Sequence, residues 1–353
     1  MKEKETFLHD KYDVCGGANY NVSMIYDAST PKGTCPLYKT LYTNSCTFDC
    51  KYCNLAKNAK TRRDSFSPEE LAKSFMNLVY TKKVEGLFLS SSVSNDSDKV
   101  TEKMIESVKL IRNKYNYEGY VHFKVLPGVS YDLIKQASEL VERMSVNIES
   151  TSKSRLDDLS SNKDYNLDLV RRQFYLKKLN VNQTTQMVIG ASDETDLEVL
   201  KTIKFQNEEL NQKRIYFSAF KPVKNSELEN KEPTPLYRQN RLYNVDFLMR
   251  KYNFKFDEFK NILVDDMLPN KDPKFLIAKN YFDKPIDINE ASEEELLRVP
   301  GIGPKITQNI IEIRKKEKLN TKKDLMKTRI ILKRAMPFLK INGYSQINLN
   351  KYL

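Results

Sequence analysis

Cys46-Thr47-Phe48-Asp49-Cys50-Lys51-Tyr52-Cys53 brings three thiols into eight residues, with an aromatic side chain directly before the last. The apolar run Leu37 to Leu41 leads into this stretch, so the thiols are expected on a loop at the end of a strand. A structural zinc needs four closed ligands, whereas an iron-sulfur cubane takes one thiolate per iron. Three thiols with no obvious fourth partner therefore describe a metal site with one open position. Two alternatives stand beside it: a zinc site completed by His9 or His122, or a group of reduced core thiols. Zinc modules more often repeat a Cys-x-x-Cys pair, and the sequence has no second pair.

Composition bounds the reading. The chain has 353 residues, enough for one large α/β domain and a small accessory module. Its five cysteines lie at 15, 35, 46, 50 and 53, which is not the distribution of a disulfide framework. Cys15 and Cys35 read as small buried residues near the metal loop. No apolar segment suits a signal peptide or a membrane span, so the expectation is a soluble protein of a reducing compartment, the cytoplasm. A formal net charge of +12 favours a polyanionic partner, because counterion release drives association with phosphate backbones.

Along the chain, short apolar runs alternate with helical periodicity. Strands are expected at Leu37 to Leu41, Gly86 to Leu89, Tyr120 to Val125, Met144 to Ile148, Thr185 to Ile189 and Ile215 to Phe220. Helices are expected near 98–115, 130–140, 164–178 and 195–210. Ser67-Pro68-Glu69-Glu70 reads as another helix start, with proline in the first turn and acids at the positive end of the dipole. Six strands separated by helices imply parallel βαβ units whose ligands collect at the strands' carboxyl ends. A partial (β/α)6 barrel accommodates them, and periodicity alone allows an open doubly wound sheet as well. Prolines in Lys221–Asn225 and Glu232–Pro235 mark the barrel's end. In the helix expected at 236–252, Tyr237, Tyr243 and Phe247 read as core, with Arg238, Arg241 and Arg250 among them; contact of this basic and aromatic mixture with bases and phosphates is the alternative. The division expected is an extension over 1–35, a barrel over 36–222, a helical linker over 223–284 and a terminal module over 285–353.

The cysteine spacing, the aromatic before the third cysteine and the preceding strand resemble the radical S-adenosylmethionine superfamily. That resemblance implies a 4Fe-4S cluster on Cys46, Cys50 and Cys53, with S-adenosylmethionine on the open iron. It implies cofactor contacts from Tyr52, from Ser90, Ser91 and Ser92, from Lys124, Asn147 and Glu149 at strand ends, and from Gln186, Gly190 and Ser218. The superfamily's usual acidic Gly-Gly-Glu-like segment is all serine here. A lysine suits the cofactor's carboxylate, and a carboxylate suits ribose hydroxyls.

Asp287 to Ile306 resembles a helix-hairpin-helix: an acidic first helix, the hairpin Pro300-Gly301-Ile302-Gly303, then a helix opening with Pro304 and Lys305. Glycines at a helix N-terminus leave amides open to phosphate, so Pro300, Gly301, Ile302, Gly303 and Lys305 are the nucleic-acid candidates. Such contacts hold the backbone and carry no base information. A second copy, Leu319 to Leu339, turns at Thr328-Arg329-Ile330-Ile331 without glycine and is expected to complete the fold without binding phosphate.

Taken together, these stretches resemble a family of DNA modification/repair radical S-adenosylmethionine proteins with a C-terminal helix-hairpin-helix, often linked to a uracil-DNA-glycosylase-like partner. Further shared segments are Tyr12-Asp13-Val14, Gly86 to Ser91, His122 to Gly128, Met144 to Glu149, Thr185 to Gly190 and Tyr216 to Phe220. The resemblance implies an enzyme that generates a 5′-deoxyadenosyl radical, takes its electron from flavodoxin or ferredoxin, and acts on nucleotides in DNA. An enzyme acting on RNA and a non-catalytic metal-containing nucleic-acid-binding protein are the alternatives. The hydrogen donor is not identifiable, since no cysteine follows Cys53.

Overall fold

The computed structural model describes residues 25–30 and 33–345. His9, Tyr12 to Val14 and Cys15 lie outside the described residues. The chain divides into two compact units. One runs to Glu194 and takes in Phe205–Pro235; the other comprises Thr195–Lys204 and the chain from Leu236 onward.

The first unit is built on a curled sheet of seven strands in sequential order, β1 to β7, a half-barrel. β2 (Gly33–Leu41), β3 (Gly86–Ser90), β4 (Tyr120–Lys124), β5 (Arg143–Ser145), β6 (Gln183–Ile189) and β7 (Arg214–Ala219) are parallel. An order without reversal has no switch point, which removes the doubly wound alternative. A seventh strand that the sequence reading did not include, β1 (Ile25–Thr30), pairs antiparallel along β2. Residues 25–30 therefore contribute an edge strand to the sheet.

Helices α1 (Pro68–Tyr80), α2 (Ser97–Lys109), α3 (Tyr131–Ser138), α4 (Lys153–Asp157), α5 (Arg171–Lys178) and α6 (Asp196–Glu208) alternate with the parallel strands. Ser67 and Glu70 form the reciprocal capping box that starts α1, and Leu71, Ala72, Phe75, Met76 and Leu78 make its buried face. Each such leucine or phenylalanine contributes about 1.5–3 kcal/mol on burial. The expected helices 98–115 and 164–178 are each part α and part π: Leu110–Lys114 extends α2, and Tyr165–Val170 leads into α5.

Strand β5 is shorter than the apolar run Met144 to Ile148 predicts. Beyond Ser145 the ladder breaks, because the amides of Ile148 and Glu149 both donate to the Gln186 carbonyl at 3.1 Å. Two residues opposing one partner is the logic of a bulge, which re-aims a side chain. Glu149 sits there at φ +61°, in the left-handed region. The proline-rich stretch after β7 returns to the barrel: Leu228 N–H donates to the Lys51 carbonyl, and Thr234 Oγ1 to that of Ile189.

In the second unit, α7 (Leu236–Tyr252) departs from expectation, because Tyr237 and Phe247 are exposed. Its arginines serve structure: Arg238 meets buried Asp196 at 2.7 Å, Arg250 clasps Asp246, and Arg241 bonds Asn244. Spacing places these aromatics on one helix, but the buried face is taken by Leu242, Val245 and Leu248. After α8 (Phe256–Lys260) and α9 (Pro273–Tyr281) come the two predicted hairpins. α10 (Glu293–Arg298) and α11 (Pro304–Arg314) flank the first; α12 (Lys322–Lys327) and α13 (Leu332–Ala335) flank the second. A core around Leu296, Ile302, Ile310, Leu325 and Phe338 joins them. A short sheet of β8 (Ile286–Asp287), β9 (Leu339–Ile341) and β10 (Tyr344–Ser345) closes this helical module. Among the described residues no helix is long and apolar enough to cross a membrane.

Candidate active site and nucleic-acid hairpin

The cysteine loop has little regular structure and is held by side chains and neighbouring loops. Arg63 donates to four carbonyls, those of Asn44, Leu55, Ala56 and Ala59. Thr47 N–H reaches the Val93 carbonyl at 2.8 Å, beyond β3, and Lys51 N–H reaches that of Leu159 at 2.9 Å, beyond α4. Asp49 accepts from Ser160 Oγ at 2.7 Å, from Ser161 N–H at 3.0 Å and from the Ser161 hydroxyl. Burial opposes the Asp49 charge, yet these bonds hold the carboxyl down at about 2. Tyr52 packs on Leu159, Ala191 and Phe220.

Cys46, Cys50 and Cys53 line one cavity of about 310 Å³. So do Tyr52, Ser90, Ser91, Ser92, Lys124, Asn147, Glu149, Gln186 and Ser218. The parallel strands explain the convergence, since their carboxyl ends meet on one rim. Gly190 is not in the lining; at φ +85° it turns the chain after β6, and its amide is taken by Glu194 Oε1. Cys35 lies on β2, partly exposed and outside the cavity; burial, then Glu85, raises its pKa.

The donor set fits a cluster. Burial pushes the Cys53 thiol up to about 11, so bound iron has to displace its proton, as metals do at thiolate sites. Among the described residues no three His, Cys, Asp or Glu side chains converge on a single ion. A cubane instead distributes its thiolates over separate irons. His122, the alternative zinc ligand, bonds Ser145 Oγ through Nε2 at 2.9 Å. Burial, followed by Arg143 and Lys124, lowers its pKa to about 3. Lys124 reaches into the cavity; its pKa is lowered by burial, partly offset by Glu149.

Several lining residues were not singled out by sequence, including Lys39, Phe88 and Lys163. Strand alternation is the signal for Lys39, which shares a strand face with Leu37 and Leu41 and pairs in register with Phe88. Lys163 follows the polar turn Ser160-Ser161-Asn162 and carries no local signal. It faces Glu149 at 3.9 Å and stands 5.7 Å from the centre of the Phe48 ring.

At the first hairpin Gly301 adopts φ +86°, and a Cβ there would stand 2.8 Å from the Ile331 carbonyl. Ile331 N–H in turn donates to the Gly301 carbonyl, joining the two hairpins back to back. Gly303 has extended backbone, and its missing Cβ leaves room for the Tyr252 hydroxyl, which would otherwise lie 2.7 Å away. The amides of Gly301 and Gly303 donate to no partner among the described residues. Lys305 is exposed beside them, while Pro300 and Ile302 are buried. Lys274 donates from below to the Ile302 carbonyl. In the second hairpin Arg329 takes φ +66°, the conformation that glycine takes in the first.

Comparison with known proteins agrees with both halves of this description. Residues 40–205 match the radical SAM superfamily, and residues 282–336 match the helix-hairpin-helix motif. The chain carries both. No protein of curated function matches its sequence. Among solved structures, it is similar to HydG, a maturase of the [FeFe]-hydrogenase, at 11% identity and TM-score 0.50, covering 60% of this chain and 49% of that one. HydG from Carboxydothermus hydrogenoformans gives 12% identity and TM-score 0.50, covering 60% and 51%. Methylornithine synthase (PylB) gives 10% identity and TM-score 0.51, covering 60% and 61%. The chain thus spans about half the length of the two HydG structures. At these identities the likeness is one of fold. Radical SAM proteins use a 4Fe-4S cluster and S-adenosylmethionine.

Proposed function

We propose that this radical SAM chain acts on nucleotides in DNA, modifying or repairing them. The observation that carries the reading is the presence, in one chain, of a three-thiol cavity and a glycine hairpin whose two glycine amides, beside Lys305, have no partner among the described residues. A phosphate suits those amides, because they stand at the start of a helix and Lys305 adds charge. The binding this provides is weakly sequence-selective.

In the cavity Cys46, Cys50 and Cys53 hold the cluster. Lys124 receives the cofactor's carboxylate, Glu149 the ribose hydroxyls, and Ser90 to Ser92 the amino group through closely approaching backbone. Asn147, Gln186 and Ser218 supply polar contacts, and Tyr52 shields the loop. When bound, the cluster and cofactor supply a 5′-deoxyadenosyl radical capable of abstracting hydrogen from an unactivated carbon. The chain's own part is orientation and exclusion of water. A duplex has to be opened or a base extruded for its carbon to reach the cavity. Flavodoxin or ferredoxin supplies the electron, and a uracil-DNA-glycosylase-like protein is the proposed companion.

Anaerobic reconstitution with isotopically labelled cofactor and a panel of DNA and RNA tests this. DNA is expected to stimulate deoxyadenosine formation and exchange label with it. Stimulation by RNA alone moves the reading to an RNA enzyme. Zinc in place of iron and sulfide after anaerobic purification points to a non-catalytic binding protein.

A further inference from the structure

Lys163 is the cavity cation for which the sequence offers no signal, and its surroundings are unusually constrained. Its side chain is 7% exposed and that of Glu149 is 11% exposed, at 3.9 Å from each other. It lines the same cavity as Cys46, Cys50 and Cys53. The backbone on both sides is fixed. Upstream, Ser160 and Ser161 clasp Asp49 of the cysteine loop, and the Leu159 carbonyl holds the Lys51 amide. Downstream, Asp164 caps the next turn by accepting from Asn166 N–H at 2.9 Å and Leu167 N–H at 2.7 Å. Long lysine side chains lose considerable entropy when ordered, so burial of one in this position requires compensating contacts.

We propose that Lys163 is a positioning residue that, as a buried cation in the wall of the thiol cavity, sets the reduction potential of the cluster while holding Glu149 at its left-handed turn. This rests on the assignment of the three thiols as cluster ligands. Reduction adds negative charge to a cluster, and cations or hydrogen-bond donors at its sulfurs favour the reduced state. In a wall of low dielectric that influence is stronger than at a surface. The ion pair to Glu149 couples this to the residue assigned to the ribose, whose left-handed backbone needs surrounding support.

The test uses the full chain, reconstituted anaerobically, with Lys163→Arg, Lys163→Gln and Lys163→Met. Iron and sulfide content and thermal melting establish that each variant holds its cluster, and a spectroelectrochemical titration reads the midpoint potential. Arginine is expected to preserve the potential. Methionine is expected to lower it so that, at a fixed applied potential, the reduced-to-oxidised ratio falls about tenfold, a shift of ~59 mV for one electron. Glutamine, neutral but still a donor, is expected between them. If methionine costs the cluster itself, glutamine and arginine decide the matter. Unchanged potentials in loaded Gln and Met variants overturn the proposal and leave Lys163 a structural partner of Glu149. A wild-type chain that binds no cluster overturns the ligand assignment as well.

Discussion

The cysteine loop and the first hairpin are both short motifs with a chemical purpose, yet they are held in opposite ways. The hairpin largely contains its own explanation: Gly301 makes the turn, Ser292 and Glu295 cap the preceding helix, and Pro304 opens the next. Its long-range contacts are few: the second hairpin across the Gly301 backbone, Tyr252 against Gly303 and Lys274 on the Ile302 carbonyl. The cysteine loop supplies three thiols and almost none of its own support. Arg63, Val93 and Leu159 to Ser161 provide that from outside. Phosphate needs only exposed amides, which a local turn can present, whereas a cluster needs ligands fixed in three dimensions.

The largest effect that separates the two regions is expected from Cys50→Ala. It should abolish the iron-sulfur absorbance and deoxyadenosine formation while leaving nucleic-acid affinity within about twofold. A parallel loss of both would show that the hairpin depends on the loop. Next is Arg63→Met, which strips four carbonyls of a charged donor; a loss of about 3 kcal/mol is expected at this network. Reduced cluster retention, read as iron per chain after gel filtration, is the check, again without a matching fall in DNA binding.

Gly301→Ala attacks the hairpin instead. Left-handed strain of about 1–3 kcal/mol adds to the clash with the Ile331 carbonyl. The melting temperature and anisotropy-measured DNA affinity should fall, with cluster content unchanged. Lys305→Ala is milder. Affinity should weaken evenly across sequences, and the slope of log affinity against log salt should shrink by about 1.

The smallest effect is one of pH. Burial, reinforced by Arg334, lowers Lys274 to about 7 from its ordinary 10.5. Between those values the unfolded chain binds more protons than the folded one, so this contribution to stability rises with pH across that window and is lost as pH falls through 7. Melting temperatures from pH 7 to 9 should climb more in the wild type than in Lys274→Met. An identical pH profile in both would remove Lys274 as the source.

The sequence by itself identified the three thiols, the parallel βαβ rhythm and the first hairpin. Each of these signals is local: a spacing, a hydrophobic period, or a glycine and proline pattern. It also named most of the polar lining residues, because positions at strand ends share a rim once the strands are parallel. Tertiary structure decided the rest. Edge strand β1 is recognised only through its pairing with β2, and the early end of β5 follows from two amides meeting one Gln186 carbonyl. Gly190 was placed at the rim by pattern, but Glu194 takes its amide and the chain turns away. Tyr237 and Phe247 share helical spacing with core residues, yet only the packed face determines which side is buried. Lys163 is the plainest case: its turn has no distinctive period, and its meaning comes from Glu149 and from the three thiols that share its cavity, residues distant in sequence.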